Sequence, residues 1–450
     1  MKQSGYVYRC TFVAAIGGFL FGYDTAVIAG AIGFIQQKFQ LSPAMMGWIA
    51  SCALIGCVIG AVIGGILADL LGRKKVLIIS GFLFAVSSLG ILLPAGLNYF
   101  VLFRLIGGIG IGVASLVVSM YISEIAPPAI RGRLISINQL GIVTGILVIF
   151  FVNAYIASLH DEEWAVNIGW RYMFGSGVIP SLIFIILLFS VPESPRWLAQ
   201  KFRLQESATI LNKLNPPDVA ARELESISIS VKTETGSYSD LWKPQIRVVT
   251  FIGIILAAFS QITGINAIMY YAPEIFKATG DGVKSAFLQT IVIGVVNIFA
   301  TVVAIRYVDK LGRKRMLLIG VAGMALCLCL IGGFFYMHMT KGFWIVGSIL
   351  GYISFFGVSL GPLTFVVIAE IFPTAVRAKA MSVAILTLWL STFLVSLIFP
   401  VLLKFIGGAD TFWFFAAMSL LSFLFIWKYI PETKGKTLES IEKYWALKRA

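Results

Sequence analysis

Two charged residues stand inside stretches of the chain that are otherwise apolar. Asp24 lies in the run from residue 8 to 32, and Arg104 lies in the run from 99 to 121. A charge inside a lipid bilayer costs at least about 2.5 kcal/mol, so it normally pairs with another charge or faces water. Burial favours the neutral acid and a neighbouring guanidinium favours the ionised one, so a mobile pair can take up and release a proton. We therefore predict that Asp24 and Arg104 couple proton movement to another process; the alternative is a permanent structural ion pair.

A second group of polar side chains lies in apolar stretches further along the chain. An amide offers both a donor and an acceptor, which suits vicinal hydroxyls, and an aromatic face stacks on the C–H face of a sugar ring. Each residue alone could instead form a bond between helices. Their concentration around Ser260–Asn266 favours a ligand site. The group comprises Gln139, Gln261, Asn266, Asn297, Tyr270, Tyr271 and Trp389.

Other patterns that resemble chemical motifs do not support catalysis. The two histidines, His160 and His338, have neither metal-ligand nor triad spacing. The glycines from Gly107 to Gly112 follow no strand, so they indicate close helix packing and not a dinucleotide site. Gly435-Lys436-Thr437 lacks the leading glycine of a P-loop. The five cysteines lie mostly in apolar runs and are interpreted as small buried hydrophobes. We predict no enzyme activity, no metal and no cofactor.

The elements that position these residues follow from composition. Of 450 residues, 59% are hydrophobic and only 12% are charged, so lipid must be the solvent for most of the chain. Continuous apolar stretches, without alternation, exclude a β-barrel. A span needs about 20 apolar residues as helix, and the sequence predicts twelve. They run over 8–32, 45–68, 76–94, 99–121, 136–157, 170–191, 246–272, 285–307, 316–337, 343–368, 380–403 and 411–430.

The two halves of the chain repeat each other. Three separate motifs recur at a nearly constant offset of about 240 residues. Two parallel six-helix halves, related by an axis along the membrane normal, are typical of the major facilitator fold, with substrate bound between the halves near the midplane. We predict an N-terminal half at 1–192, a cytoplasmic linker of short amphipathic helices at 193–245, a C-terminal half at 246–431 and a cytoplasmic tail at 432–450. The repeated motifs are Asp69–Lys75 with Asp309–Arg315, Glu124 and Arg131 with Glu370 and Arg377, and Pro192–Ser194 with Pro431–Thr433.

The net charge of +14 is distributed as a membrane topology signal. Basic clusters lie between alternate spans, and Lys/Arg-rich loops stay in the cytoplasm. Both termini are therefore predicted to be cytoplasmic, and nucleic-acid binding is excluded. No Asn-x-Ser/Thr glycosylation acceptor occurs in the chain, which favours a bacterial inner membrane.

Charges of both signs gather at the predicted cytoplasmic ends of the spans. One interpretation is that these charges only set the topology of the chain in the membrane. The alternative is a set of interdomain ion pairs that form in one state and separate in another, and so control access from the cytoplasm. An isolated surface pair contributes only about 0–1 kcal/mol, so a shared network is required. The predicted members are Asp69, Arg73, Glu124, Arg131, Glu193, Arg196, Asp309, Arg313, Glu370, Arg377 and Glu432.

The chain resembles the sugar porter family of the major facilitator superfamily, and within it the bacterial proton–xylose symporters. The resemblance rests on motifs spread from end to end of the chain. They are Gly22-Tyr23-Asp24, Arg104 with its glycines, Arg131-Gly132-Arg133, Pro192–Trp197, Gly264-Ile265-Asn266 with Tyr270-Tyr271, and Pro431–Gly435.

The resemblance implies roles for individual positions. Asp24 matches the acid of proton-coupled members, with Arg104 as its counterpart. Sugar contacts are implied for Phe21, Gln139, Gln261, Asn266, Tyr270, Asn297, Phe365 and Trp389. Four positions depart from the family pattern by losing an amide or an indole: Ser260, Phe365, Leu388 and Ile146. These departures leave the identity of the monosaccharide open.

The resulting hypothesis is proton-coupled symport of a monosaccharide, a pentose or a hexose such as xylose or glucose, by alternating access. The expected partners are the sugar, a proton and membrane lipid, and the chain is expected to be monomeric. The alternative is a sugar uniporter in which the Asp24–Arg104 pair is structural. A transporter-like sugar sensor would need a long signalling tail, which the 432–450 segment does not provide.

Overall fold

The computed structural model describes residues 2–93, 96–127, 130–233, 238–244, 246–278, 282–339, 342–372 and 376–434. Across these ranges the regular secondary structure is helical and contains no strand. Twelve helical segments among them are long and apolar enough to cross a membrane, which confirms the predicted fold class. Spans 1 to 12 are Gly5–Phe39, Pro43–Leu71, Arg73–Leu92, Leu97–Ile125, Arg131–Ser158, Glu162–Leu188, Arg247–Lys277, Val283–Leu311, Arg313–Tyr336, Phe343–Ile371, Lys379–Phe405 and Gly407–Tyr429.

Most spans are longer than their apolar cores predict. Span 1 continues to Phe39, beyond the expected end at residue 32, because the helix continues through the polar residues Gln36, Gln37 and Lys38. Three spans are interrupted. A π-helical turn at Ala165–Gly169 lies within span 6, Thr263 and Gly264 divide span 7, and Ser359 divides span 10. Hydropathy cannot predict such breaks, since it is insensitive to backbone angles.

The segment between spans 6 and 7 is helical, as predicted. Its helices are Pro195–Gln200, Leu204–Leu214 and Pro217–Thr233, followed by a 3₁₀ turn at Tyr238–Trp242. The second helix ends before Pro216-Pro217 and the third begins at Pro217, in the position where a proline's missing N–H costs nothing. Leu211 and Leu214 are buried, as their helical spacing requires.

The chain divides into two compact units. Unit 1 contains Met1–Val27, Ala53–Ile149 and Arg171–Thr235, and unit 2 contains Ile28–Cys52, Phe150–Trp170 and Gly236–Ala450. The predicted domain boundaries at 192, 245 and 431 stay predictions. Residues 234–237 and 245 of the predicted linker and residues 435–450 of the predicted tail lie outside the described residues.

Spans 2 and 4 pack closely in unit 1 through glycines on both helices. A Cβ at Gly60 would meet the backbone of Ile109, and one at Gly112 would meet the backbone of Cys57. Small residues allow such close backbone approach in membranes, as predicted for these glycines.

One cysteine departs from the expected burial. Cys10, Cys52, Cys57 and Cys327 are buried, but Cys329 is exposed on span 9 of unit 2. Its side chain is exposed beside span 12, where an apolar group is compatible with lipid.

Candidate functional site

Asp24 and Arg104 form a buried ion pair in unit 1. Arg104 Nη1 donates to Asp24 Oδ2 at 3.1 Å and to the backbone carbonyl of Asp24 at 3.2 Å. The whole residues are 8% and 1% exposed, so the pair has little contact with solvent. Both contacts use the same nitrogen, whereas the strongest Arg–carboxylate pairs use two parallel bonds. The carboxylate is therefore held at one point.

The surroundings of the pair leave room for the acid and support the guanidinium. Arg104 Cζ lies 5.1 Å from the centre of the Phe174 ring, a favourable cation–π distance. A Cβ at Gly107 would approach Ser87 Oγ to 2.5 Å and Asp24 Oδ2 to 3.4 Å. Glycine at this position of span 4 thus has a local function besides helix packing: it keeps the space beside the carboxylate open.

The two sugar-contact residues predicted in unit 1, Phe21 and Gln139, lie on spans 1 and 5. Phe21 lies on span 1, one helical turn before Thr25. The Thr25 hydroxyl donates to the Phe21 carbonyl at 2.7 Å. Gln139 is half-buried on span 5. The next residue towards the N-terminus, Asn138, is buried and donates to Ser119 Oγ at 3.3 Å. Tyr23 OH and Ser176 Oγ are 2.7 Å apart, which joins spans 1 and 6 near the acid.

The break in span 7 of unit 2 brings separate polar residues together. Gly264 has φ +96°, a backbone angle that side chains other than glycine rarely adopt, and its α-carbon faces the Phe415 ring. The helix stops after Ile262 and restarts at Ile265. This break places Asn266 beside Gln261, which lies on the preceding helix.

Gln261 is the centre of a hydrogen-bonded cluster. Its Oε1 accepts from Asn266 Nδ2 at 2.5 Å and from Thr392 Oγ1 at 3.1 Å, and its Nε2 donates to Ser260 Oγ at 3.1 Å. Gln261, Ser260 and Thr392 are buried, and Asn266 is half-buried. These four residues are called the amide cluster below. Each offers polar atoms that a hydroxylated ligand can bind in exchange for the present partners.

Thr392 was not predicted from the sequence. It lies three residues after Trp389 on span 11, so the two share a helix face, and this spacing is the signal that could have identified it. A threonine inside an apolar helix usually bonds its own backbone, and Thr392 also does so, to the Leu388 carbonyl at 2.8 Å. Only the packing of span 11 against span 7 shows that Thr392 also donates to Gln261.

The remaining predicted sugar contacts of unit 2 lie on four spans. Tyr270 on span 7, Asn297 on span 8 and Trp389 on span 11 are 4%, 8% and 3% exposed. Phe365 on span 10 is exposed. Among the described residues, no hydrogen bond joins the Asn297 side chain to the amide cluster.

At one end of unit 1, charges of both signs form a compact cluster. Arg73 contacts Glu124 at 2.9 Å and Asp69 at 3.2 Å. Glu193 Oε1 accepts from the backbone N–H of Lys74 at 3.0 Å and of Ser194 at 2.8 Å. A carboxylate in this position caps the first turn of span 3 and matches the positive end of its helix dipole.

Unit 2 repeats this cluster almost bond for bond. Arg313 contacts Glu370 at 3.0 Å and Asp309 at 3.0 Å, and Glu432 Oε1 accepts from the backbone N–H of Arg313 at 2.9 Å. Gly72 and Gly312, which precede spans 3 and 9, have φ +98° and +89°. The repeated motifs of the sequence therefore form the same local structure twice.

The two arginines that follow the clusters also correspond. Arg131 donates to the Ala126 carbonyl at 3.3 Å, and Arg377 donates to the Phe372 carbonyl at 3.3 Å. Arg131 is also 3.4 Å from Glu223 of the linker. Burial raises the pKa of Glu223, and Arg131 and Asn215 oppose that rise. Arg196 lies in the short helix Pro195–Gln200, next to the unit 1 cluster. Each of these ion pairs joins residues of the same unit. The gating role predicted for them stays a prediction.

Twelve apolar spans, a duplicated charge cluster, a buried ion pair and a polar break in span 7 define a multi-pass membrane transporter. A family model described as "Sugar (and other) transporter" matches residues 10–445, and the chain belongs to this family.

Known proteins of this type are similar over nearly the full chain. The arabinose-proton symporter of Bacillus subtilis is 44% identical over 442 residues, which cover 98% of this chain and 95% of that protein. The D-xylose-proton symporter of Escherichia coli is 39% identical, covering 98% and 96%. The structure of the E. coli xylose transporter XylE in a partially occluded inward open conformation matches with a TM-score of 0.87 and 39% identity, covering 96% of this chain and 100% of that one.

Proposed function

We propose that this protein imports a monosaccharide together with a proton by alternating access. Membership of the sugar transporter family supports the substrate class, and two similar proteins are named as proton symporters of arabinose and xylose. The single observation that carries the coupling is the buried Asp24–Arg104 pair, held through one nitrogen. Such a pair separates more easily than a two-point pair, and a released carboxylate in an apolar region takes up a proton.

The sugar is proposed to bind the amide cluster of unit 2. Its hydroxyls replace the bonds among Gln261, Asn266 and Thr392, so buried polar atoms stay satisfied before and after binding. Asn297 supplies a further amide, and Tyr270, Phe365 and Trp389 supply aromatic surface. Phe21 and Gln139 of unit 1 are also proposed as sugar contacts. Arabinose and xylose are the pentoses to test first, because the names of the similar proteins include them.

The charge clusters are proposed to control opening on the cytoplasmic side. Their basic residues agree with a cytoplasmic position under the positive-inside rule, with both termini on that side. A bacterial inner membrane is the proposed location, and the protein is proposed to act as a monomer surrounded by lipid. Nucleic acid is not a proposed partner.

Proton uptake driven by sugar tests the proposal. The purified protein is reconstituted in proteoliposomes in weak buffer, and L-arabinose, D-xylose, D-glucose or L-glucose is added outside while external pH and labelled sugar uptake are recorded. Symport predicts alkalinisation of the medium with the transported sugar and none with L-glucose. Sugar uptake without a pH change would support the uniporter instead. Uptake of no monosaccharide would contradict the proposed substrate class.

Gln261→Leu is expected to weaken sugar binding by about tenfold or more. The change removes the amide that is proposed to bind the sugar hydroxyls, and losing one hydrogen bond of about 1.5 kcal/mol lowers the affinity about tenfold. Binding is measured by tryptophan fluorescence titration with the sugar that the uptake assay identifies. Gln289→Leu on span 8 is the matched control, because Gln289 is a half-buried glutamine outside the cluster. Equal affinity in a folded Gln261→Leu protein would remove this residue from the site.

A further inference from the structure

A groove opens on the outer face of unit 2 between spans 9 and 12. The groove is open on one side, has a volume of about 370 Å³ and is almost wholly apolar. Leu326 and Leu420 at its edges are 61% and 52% exposed, as expected for side chains that face lipid. Its lining residues are Ala322, Ala325, Leu326, Cys329, Leu420 and Phe423. The volume is in the range of small-ligand sites, and polar ligands have nothing to bind there.

The first repeat shows why the groove exists. Aligning Asp69–Lys75 with Asp309–Arg315 places Phe82 opposite Ala322 and Leu89 opposite Cys329. Phe82 and Leu89 are themselves exposed on span 3, at 53% and 51%. The second repeat therefore has small side chains where the first has bulky ones. Because span 3 carries phenylalanine at the position of Ala322, a phenylalanine at position 322 is compatible with this helix packing.

A basic rim lies at one end of the same two helices. Lys314 is the second residue of span 9 and donates to the Trp427 carbonyl at 2.8 Å, and Arg315 and Lys428 are exposed at the same end. Arg313 is paired with Asp309 and Glu370, whereas no ion pair of Lys314, Arg315 or Lys428 is recorded among the described residues. Glu432 accepts the backbone N–H groups of Arg313 and Lys314 at this end, so the start of span 9 already binds its charge. The rim thus has an excess of positive charge.

The end of the groove near Ala322 lies within the leaflet that contains the rim. Ala322 follows Lys314 by eight residues, which is about 12 Å of helix, and Cys329 follows it by fifteen, about 22 Å. Half of the hydrocarbon core is about 15 Å thick. Exposed Trp427 and Tyr429 lie at the level of Lys428, and such aromatic residues favour the headgroup region. An acyl chain that starts at the rim therefore reaches the Ala322 end of the groove, and the Cys329 end lies past the middle of the hydrocarbon core.

We propose that spans 9 and 12 bind one anionic glycerophospholipid, with an acyl chain in the Ala322–Cys329 groove and its phosphate at Lys314, Arg315 and Lys428. Charge complementarity selects an anionic headgroup over a zwitterionic one, since a basic residue near the surface attracts anionic lipid. The apolar lining of the groove binds the acyl chain of the lipid. The site is separate from the proposed sugar and proton residues.

Native mass spectrometry of the purified full chain tests the site. The protein is titrated with palmitoyl-oleoyl phosphatidylglycerol or phosphatidylcholine, and the fraction carrying one lipid is measured. The parent is expected to bind phosphatidylglycerol at least about tenfold more tightly. Lys314→Gln with Lys428→Gln is expected to remove this preference. Ala322→Phe, which copies the first repeat, is expected to weaken the binding of both lipids.

Lys74→Gln with Lys75→Gln is the matched control. Lys74 donates to the Phe189 carbonyl at 3.3 Å in unit 1, as Lys314 donates in unit 2, and Lys75 is exposed like Arg315. This variant is expected to retain the parent affinity. Equal binding of the two lipids by the parent, an equal loss in the control, or unchanged binding in Ala322→Phe would each overturn the proposal. A lipid-independent dimer that Ala322→Phe disrupts would assign the groove to a second copy instead.

Discussion

Asp24→Asn is expected to abolish sugar accumulation while sugar exchange continues. The amide keeps the size of the side chain and a hydrogen-bond acceptor for Arg104, but it cannot exchange a proton at this position. A membrane potential of about 100 mV contributes about 2.3 kcal/mol per elementary charge, enough for an approximately 50-fold gradient. Without coupling, the sugar concentrations inside and outside are expected to become about equal.

The measurement compares two modes of the same proteoliposomes. Accumulation is measured under an imposed potential and pH gradient, and counterflow is measured with labelled sugar outside and unlabelled sugar inside. Asp410→Asn, at the exposed start of span 12, is the control and is expected to match the parent in both. Accumulation by Asp24→Asn at the parent level would move the proton site elsewhere. Loss of counterflow in a folded variant would assign the pair a structural role.

Glu124→Gln is expected to destabilise the protein more than Glu370→Gln, although the two residues occupy equivalent positions. The Arg73 and Glu124 side chains are 4% and 7% exposed, whereas those of Arg313 and Glu370 are 15% and 25% exposed. Removing one partner of a buried pair leaves an uncompensated charge and costs about 3–5 kcal/mol. Asp69 still contacts Arg73, so we expect about 3 kcal/mol for Glu124→Gln. The more solvated pair should cost about 1 kcal/mol.

Thermal unfolding in detergent, followed by tryptophan fluorescence, compares the two variants. Each is its partner's control, because the chemical change is the same and both residues pair with an arginine that also contacts an aspartate; Glu124 differs in also accepting from Ser194 Oγ. A larger shift in Tm for Glu124→Gln is expected. Equal shifts would show that burial does not decide the stability of these clusters, and a larger shift for Glu370→Gln would contradict the argument.

The sequence was sufficient for features that depend on composition and repetition. Twelve spans follow from apolar length, and the duplicated clusters follow from motifs with a constant offset. The pairing of Asp24 with Arg104 was predictable because two isolated charges inside lipid need partners. These inferences rest on the cost of exposing polar groups to hydrocarbon, which holds for any arrangement of the helices.

Other features depended on backbone angles and on contacts between distant segments. The break at Gly264 requires φ +96°, and the sequence Thr263-Gly264 permits that angle without requiring it. The hydrogen bond from Thr392 to Gln261 could not be assigned from the sequence, because the two residues are 131 positions apart along the chain. The groove between spans 9 and 12 arises from which helix faces pack together, so hydropathy alone does not reveal it.

The sequence by itself determined that this chain is a twofold-repeated helical membrane transporter with a charged pair inside it. The physical reason is that lipid excludes unpaired polar groups wherever they occur in a span. Tertiary structure decided how each pair is held and which polar residues meet. Arg104 holds Asp24 through one nitrogen, and Gln261 accepts from two different spans, because bond geometry depends on how helices pack and not on residue type alone.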